Sequence, residues 1–317
     1  MKAVSEERAN IKKSFFPDEI PKLWCPLLTH YNDNGEINKE RIKKHLNFLS
    51  PYVSSFLVPG STGDGWEMQD HEREVLLDFL IKEAKIKDFW IMIGVLKTGR
   101  GAALNSIINN VKRYIGKESA NIDDFVKNRI CGFTVTPPKG QNLSQETIYK
   151  ELENILSTGY PISLYQLPQI TENEMTPQTV IKLAKQYPNF YLLKDTSGED
   201  KIVMSDIKEN IFMVRGAEGD YAKWLKNNEA SYDGLLLSTA NCFAKEYTDI
   251  LNYIKEDKID KAKELSATIS IVVEKIFNLV EDLNYGNPFT NANKLIDHHF
   301  AYGKKSLKIK PPLTYSG

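Results

Sequence analysis

Residues 189–198 read NFYLLKDTSG, an apolar run that ends in polar residues and a glycine. Near-continuous hydrophobicity of this kind predicts a parallel strand covered on both faces, and the polar end predicts a turn. Lys194 lies inside the strand, where burial disfavours the charged form of an amine. A neutral amine is a nucleophile toward carbonyl groups, as in enzymes that form a Schiff base. The alternative is a structural lysine paired with Asp195 or another neighbouring carboxylate.

Similar apolar runs recur along the chain and are separated by amphipathic stretches of helical period. The strand candidates are residues 23–29, 54–59, 89–95, 130–137, 161–168, 190–196, 211–217 and 233–240. The clearest helix candidates are residues 36–49, 70–85, 144–156 and 176–186, with Asn38, Ser144 and Thr176 as capping residues. Eight such units predict a (β/α)8 TIM barrel. A doubly wound sheet is the alternative, but no glycine-rich phosphate loop follows Thr29.

The domain organisation follows from where the strand candidates begin and end. Residues 1–21 are expected to form a polar lead-in, residues 22–241 the barrel, and residues 242–317 a C-terminal helical region. The segment 114–129 is long and polar, and we expect it to be a surface insertion.

Composition excludes several classes of function. The 317 residues carry 41 basic and 42 acidic side chains, a net charge of −1 that points to neither nucleic acid nor an anionic membrane as a partner. No apolar stretch approaches the roughly 20 residues needed to span a bilayer, and the polar N-terminus is unlike a secretory signal. Three dispersed cysteines predict no disulfide and a cytoplasmic location. The five histidines show no metal-ligand spacing, so we predict no metal and no cofactor.

Polar residues collect where the predicted strands end, which is where barrels of this kind place their active sites. They are Thr29, Ser61, Thr62, Asp64, Thr136, Lys139, Tyr165, Gln166, Lys194, Glu218, Asp220, Ser238, Thr239 and Asn241. Glycines in the loop 60–65 would let backbone N–H groups approach a carboxylate; the alternative is a tight turn without a ligand. Tyr165, on the strand next to that of Lys194, offers a phenol for proton transfer, or is a core tyrosine bonded to the backbone.

Four ordered motifs resemble those of the Schiff-base aldolase superfamily of N-acetylneuraminate lyase and dihydrodipicolinate synthase. They are GSTGD at residues 60–64, YQLP at 165–168, LKDTSGED at 193–200 and GLLLS at 234–238. Each motif is weak alone, but their order and spacing together identify the chain as a divergent member over about residues 22–313.

The resemblance implies roles for particular residues. Lys194 would form an imine with the keto carbon of pyruvate or of a pyruvate-derived 2-keto acid. Ser61 and Thr62 would hold the carboxylate, and Tyr165 would move the proton. Ser238 and Asp220, together with Glu218, would touch the variable tail of the substrate. The resemblance also implies a homo-oligomer, usually a dimer or tetramer.

Two departures argue against dihydrodipicolinate synthase activity. Residues 136–139 read TPPK where the synthase has T-P-Y-Y, and Ile170 stands where the synthase has an arginine for its second substrate. Asp64 replaces the usual glutamate, and His30 replaces the usual proline. Lys139 either binds an anionic substrate tail or faces solvent.

These residues predict a cofactor-free class I aldolase or lyase that makes or breaks a C–C bond in a 2-keto acid. The leading substrate is a 2-keto-3-deoxy sugar acid or an N-acetylneuraminate-like compound. One alternative is a dehydratase, a hydratase or a synthase-like enzyme that uses the same lysine. Another is a paralogue that binds keto acids without turnover.

Overall fold

The structure is a computed structural model that describes residues 2–117, 119–205, 207–226 and 232–317. Eight parallel strands close into a barrel in chain order, because each strand pairs with the next and the last pairs with the first. The strands are β1 Leu23–Pro26, β2 Ser55–Val58, β3 Trp90–Val95, β4 Ile130–Val135, β5 Ile162–Gln166, β6 Phe190–Asp195, β7 Phe212–Arg215 and β8 Gly234–Leu236. The predicted (β/α)8 barrel is therefore confirmed, although every strand is shorter than its apolar run.

Helices cover the barrel and extend beyond it. They are α1 Lys2–Phe15, α2 Lys39–Leu49, α3 Asp70–Lys87, α4 Ala102–Asn110, α5 Ile122–Lys127, α6 Gln145–Leu156, α7 Pro168–Thr171, α8 Pro177–Gln186, α9 Ala240–Lys255, α10 Ile259–Val280 and α11 Pro288–Tyr302. The three predicted caps are confirmed: Asn38, Ser144 and Thr176 each accept a hydrogen bond from a backbone N–H in the first turn. Between β6 and β7, and between β7 and β8, the described residues form turns instead of helices.

The polar lead-in is a packed helix. Arg8 of α1 is fully buried and donates hydrogen bonds to backbone carbonyls that include Phe190 O at 2.7 Å and Tyr187 O at 2.9 Å. Phe15, at the end of α1, packs against Trp90 and Tyr191. Because these partners lie where β3 and β6 begin, α1 covers the end of the barrel opposite the predicted site.

The segment 114–129 is not a pure surface insertion, and that prediction was wrong in part. It includes α5, whose Phe125 is completely buried. The ring of Phe125 lies edge-on to Phe133 of β4 and tilted against Tyr160. The polar composition of the segment gave no indication that the Phe125 side chain packs α5 against the barrel.

The C-terminal region begins with a helix that belongs to the barrel. α9 follows β8 directly and packs against β1, so the boundary predicted between residues 241 and 242 falls within α9. The division into domains stays a prediction, and the extension beyond the barrel consists of α10 and α11 in this structure. In the part of the chain that the structure describes, no helix has both the length and the hydrophobicity to cross a membrane.

Candidate active site

Lys194 and Tyr165 lie side by side in the wall of the barrel. They are register partners on β6 and β5, so both side chains point to the same face of the sheet. The Nζ atom of Lys194 lies 4.1 Å from the centroid of the Tyr165 ring, within the range of a cation–π contact. Both residues are buried, with 5% and 2% of their surface exposed. The structure therefore brings together the amine and the phenol that were predicted separately.

Lys194 is not part of a structural ion pair. Among the described residues, no carboxylate oxygen lies within 4.0 Å of its Nζ atom, and no hydrogen bond from that atom is formed. The neighbouring Asp195 instead accepts hydrogen bonds from the Ser197 backbone N–H at 2.9 Å and from its hydroxyl at 2.7 Å. Burial raises the pKa of Asp195, and the bonds from Ser197 oppose that shift. The pairing considered as an alternative for Lys194 is thus not formed.

Gly216 makes room for the Lys194 side chain. A Cβ atom at Gly216 would lie 2.8 Å from the Lys194 Cε and 2.4 Å from the Thr196 hydroxyl oxygen. Both distances are shorter than real Cβ contacts, so a larger residue would displace the amine. This position was not predicted from the sequence, because its only signal is a glycine near the end of the apolar run 211–217.

Ser61 and Thr62 form a single 3-10 turn, Ser61–Gly63, after β2. Among the described residues, no acceptor bonds to the backbone N–H groups of Ser61 and Thr62. Two adjacent N–H groups without a described acceptor, at the start of a turn, are donors of the kind that bind anions in proteins. Since β2 and β6 lie on opposite sides of an eight-stranded barrel, this turn faces Lys194 across the barrel mouth.

Several contacts hold the turn in place. The Thr29 hydroxyl donates to Gly63 O at 2.8 Å, and the Thr290 hydroxyl of α11 donates to Thr62 O at 3.0 Å. The indole N–H of Trp66 donates to the Ser61 hydroxyl oxygen at 2.9 Å. A side chain at Gly63 would lie 2.4 Å from Leu27 O, which explains why the turn needs a glycine there.

A buried ion pair lies behind the turn. Lys294 of α11 donates to Asp64 at 3.1 Å, and both side chains are almost completely buried. Burial lowers the pKa of Lys294, and the facing carboxylate of Asp64 opposes that shift. Lys294 also donates to Leu313 O at 2.6 Å. Asp64 therefore anchors the C-terminal extension to the barrel mouth.

Ser238 lies in a hydrogen-bond network after β8. Its hydroxyl donates to Glu218 at 2.6 Å and accepts a hydrogen bond from the Asn293 side chain at 3.1 Å. Glu218 also accepts from the Thr239 hydroxyl at 2.7 Å and from the Tyr221 hydroxyl at 3.0 Å. Glu218 thus joins the loops after β7 and β8, and most of its acceptor capacity is already used.

Two of the other predicted residues lie at the surface. Asp220 is exposed, and its backbone N–H donates to Ser270 of α10 at 3.2 Å. Lys139 is about half exposed and forms an ion pair with Glu172 at 2.8 Å. The structure does not bring either side chain into contact with Lys194.

Two buried hydroxyls at the barrel mouth have no hydrogen-bond partner among the described residues. They belong to Thr136, just after β4, and Thr196, just after β6. The strand alternation places them on the same face of the sheet as Tyr165 and Lys194. A buried hydroxyl is costly unless it is bonded, so both suit a hydroxylated ligand.

The contribution of α11 was missed by the sequence analysis. Thr290 and Lys294 contact Thr62 and Asp64, more than 220 residues away in sequence. Asn293 of the same helix contacts Ser238 after β8. The apolar periodicity of α11 carries no signal for these polar contacts.

The chain is similar in sequence to one known protein family. A sequence model of the dihydrodipicolinate synthetase family matches residues 129–285, which include β4 to β8. The 4-hydroxy-tetrahydrodipicolinate synthase of Thermotoga neapolitana is 23% identical over 253 residues, which cover 77% of this chain and 79% of that protein.

Solved structures share the fold at low identity. The E. coli K12 prophage protein YagE, of the dihydrodipicolinic acid synthase family and solved with pyruvate, matches with a TM-score of 0.70, 18% identity and 88% coverage of both chains. A variant of the 2-keto-3-deoxygluconate aldolase of Sulfolobus solfataricus matches with a TM-score of 0.66 and 17% identity, over 89% of this chain and 86% of that one.

Proposed function

This chain is a divergent member of the dihydrodipicolinate synthetase family, and we propose that it is a class I aldolase or lyase acting on a pyruvate-derived 2-keto acid. The observation that carries the proposal is the unpaired Lys194 amine beside the Tyr165 ring, with 4.1 Å between Nζ and the ring centroid. An amine without a carboxylate partner loses no ion pair when it becomes a nucleophile.

The proposed reaction uses an imine formed on Lys194 as the electron sink. Its amine attacks the keto carbon, and loss of water leaves a protonated imine. Tyr165 takes the proton of the substrate hydroxyl while the electrons of the C–C bond flow into the imine and an aldehyde leaves. The resulting enamine takes a proton at carbon, and hydrolysis then releases pyruvate and the free amine.

The turn at Ser61 and Thr62 is the proposed site of the keto-acid carboxylate. Its two backbone N–H groups, which are free among the described residues, and the two hydroxyls are donors on the side of the barrel mouth opposite the Lys194 strand. A carboxylate held there would orient the adjacent keto carbon toward the amine.

The leading substrate is a 2-keto-3-deoxy sugar acid or an N-acetylneuraminate-like compound. The unpartnered hydroxyls of Thr136 and Thr196 support a polyhydroxylated tail. Ser238 still has one lone pair free for a substrate hydroxyl, whereas the predicted contact with Asp220 would require that exposed side chain to turn inward.

Reductive trapping tests the proposal. We expect borohydride to fix pyruvate on the protein as one adduct per chain, located at Lys194 by peptide mass spectrometry. Omission of the reductant is the control, since an imine hydrolyses during work-up. Failure of pyruvate and of longer 2-keto acids to give any adduct would contradict the imine mechanism.

A synthase reaction is the second candidate, because the curated relative from Thermotoga neapolitana is named a synthase. Two observations oppose it. Ile170 lies in α7 in place of an arginine, and Lys139 is engaged by Glu172 where the synthase has tyrosine. A screen of aldehyde acceptors with and without a carboxylate would separate the two candidates.

Trp66→Phe is predicted to weaken keto-acid binding without removing the imine. The indole N–H satisfies one lone pair of the Ser61 oxygen, which leaves the Ser61 hydrogen free for the ligand carboxylate. Loss of one such bond is worth about 1 kcal/mol, or roughly a fivefold rise in the half-saturating pyruvate concentration for trapping.

The matched control is Trp24→Phe. The Trp24 indole donates to Pro21 O at 2.7 Å, near the start of β1 and away from the ligand. An unchanged pyruvate dependence in Trp66→Phe, or an equal change in Trp24→Phe, would show that the Trp66 contact does not act on binding.

A homo-oligomeric state and a cytoplasmic location stay predictions. The three cysteines, Cys25, Cys131 and Cys242, are buried and free, which is compatible with a reducing compartment.

A further inference from the structure

Three buried side chains meet beside the end of β1. His30 follows β1, His45 lies on α2 and Asp297 lies on α11, and their exposed fractions are 4%, 1% and 8%. His45 Nδ1 lies 3.2 Å from one oxygen of Asp297, and His30 Nε2 lies 4.0 Å from the other. The three ligand atoms all lie within 4.8 Å of one another.

The orientation of Asn241 decides which nitrogen of His45 carries a hydrogen. The Asn241 amide nitrogen donates to Pro26 O and Ser238 O at 2.8 Å each, and its oxygen accepts from the Leu28 N–H at 3.0 Å. The same oxygen lies 3.0 Å from His45 Nε2, which must therefore be the donor. In a neutral ring, the lone pair of His45 Nδ1 then faces the Asp297 carboxylate.

His30 presents a second nitrogen without a hydrogen-bond partner. The His30 Nε2 is buried and bonds to no described residue, and the His45 Nδ1 is buried 3.2 Å from an Asp297 oxygen. A proton on His45 would join it to Asp297, but would leave His30 Nε2 unsatisfied. One cation between the three groups would satisfy all of them.

We propose that His30, His45 and Asp297 bind a divalent first-row transition metal, with Zn²⁺ as the representative ion. Two imidazoles and a carboxylate are ligands that such ions accept in proteins. Metal–ligand bonds of about 2.0–2.2 Å place neighbouring ligand atoms roughly 3.3 Å apart in a tetrahedral site. The pair His45–Asp297 already has this separation, and the His30 nitrogen, which lies within 4.8 Å of the other ligand atoms, needs to move by about 1.5 Å at most.

The outer contacts fit a metal site. The Asn241 oxygen fixes the tautomer and ring orientation of His45, as outer partners of metal-bound histidines do. Arg41 contacts the Asp297 oxygen nearer to His30 and leaves the oxygen nearer to His45 for the ion. A cavity of about 280 Å³, lined in part by His30, Arg41 and Asp297, offers a path for the ion and space for a water ligand.

The other charged side chains near the three proposed ligands form ion pairs elsewhere. Lys294 is paired with Asp64, and Lys310 with Asp33. His298 lies 3.1 Å from Ser306 O. Among the described residues, Arg41 is thus the one lysine or arginine that contacts a proposed ligand, and that ligand is Asp297. The ion and Arg41 would share the Asp297 carboxylate.

The proposed metal would join α11 to the barrel. The same helix supplies Asn293 and Lys294 to the barrel mouth, so a bound ion would hold that side of the site in place. This proposal does not depend on imine chemistry, because it concerns residues outside the keto-acid site.

Metal binding is tested on the full chain after treatment with a chelator. We expect competition with a chromophoric chelator to give about one Zn²⁺ per chain, and added Zn²⁺ to raise the melting temperature. His30→Gln and His45→Gln should each weaken binding by at least about tenfold. His71→Gln, the same change at an exposed histidine of α3, should leave the affinity unchanged.

Co²⁺ in the unmodified protein gives an independent readout if a variant fails to fold. We expect visible absorption typical of nitrogen and oxygen ligands at low coordination number. The proposal is overturned if no ion binds at micromolar concentration, if both variants bind as tightly as the parent chain, or if a thiolate-to-metal band reports ligation by the buried cysteines. Failure of pyruvate trapping would leave this result unaffected.

Discussion

Lys194→Ala should abolish both the trapped adduct and the exchange of pyruvate methyl protons with deuterated water. Exchange requires the imine, because only the imine makes the adjacent methyl group acidic enough to yield an enamine. The fold should survive, since Lys194 makes no hydrogen bond or ion pair with the described residues. Proton NMR measures the exchange, and mass spectrometry measures the adduct.

Two further variants sharpen this prediction. Lys139→Ala removes a half-exposed lysine that is paired with Glu172, and it should retain both the adduct and the exchange. A small primary amine added to Lys194→Ala should restore part of the exchange by forming the imine in the vacated space. An adduct on the other buried lysine, Lys294, or undiminished exchange in Lys194→Ala would refute the assignment.

Tyr165→Phe should slow proton exchange and turnover by about 10²–10⁴-fold, the usual contribution of a general acid–base group. The phenyl ring that remains still fills the barrel wall and still faces the Lys194 amine, whose Nζ lies 4.1 Å from the ring centroid. Imine trapping should therefore persist while exchange is lost. That difference distinguishes a proton-transfer role from a packing role.

Tyr187→Phe is the matched control for the loss of a phenol. The Tyr187 hydroxyl donates to Glu153 at 3.0 Å near the end of α8, far from the barrel mouth. Exchange in this variant should match the parent chain. A Tyr165→Phe enzyme with an almost unchanged exchange rate would move proton transfer to another group, such as a water bound at the Thr136 hydroxyl.

Local patterns were sufficient for the barrel and for its central pair of residues. Each strand is an apolar run because both of its faces are covered, and such runs are visible in the sequence. Lys194 stood out because a lysine inside such a run is rare, and Tyr165 because it ends the neighbouring strand. The end of β3 at Val95 was placed correctly, and the other seven strand ends were placed too late by one to four residues, since apolar residues continue into the loops that close over the barrel mouth.

Local sequence patterns do not predict contacts between residues that are distant along the chain. The ion pair of Asp64 with Lys294 joins residues 230 positions apart, and nothing in the local sequence of either residue indicates the other. The prediction of no metal likewise rested on local spacing, whereas His30, His45 and Asp297 come from three separate segments.

The sequence by itself determined the type of fold, the positions of the strands and the burial of Lys194 within one of them. These follow from hydrophobic period and from the cost of burying a charge, both of which act locally. Only the tertiary structure decided that Lys194 has no ion-pair partner among the described residues, that Ser238 is bonded to Glu218, and that α11 supports the barrel mouth. These contacts join residues that are distant in sequence. They form because closure of the barrel brings those residues together in the protein interior, where the dielectric constant is low.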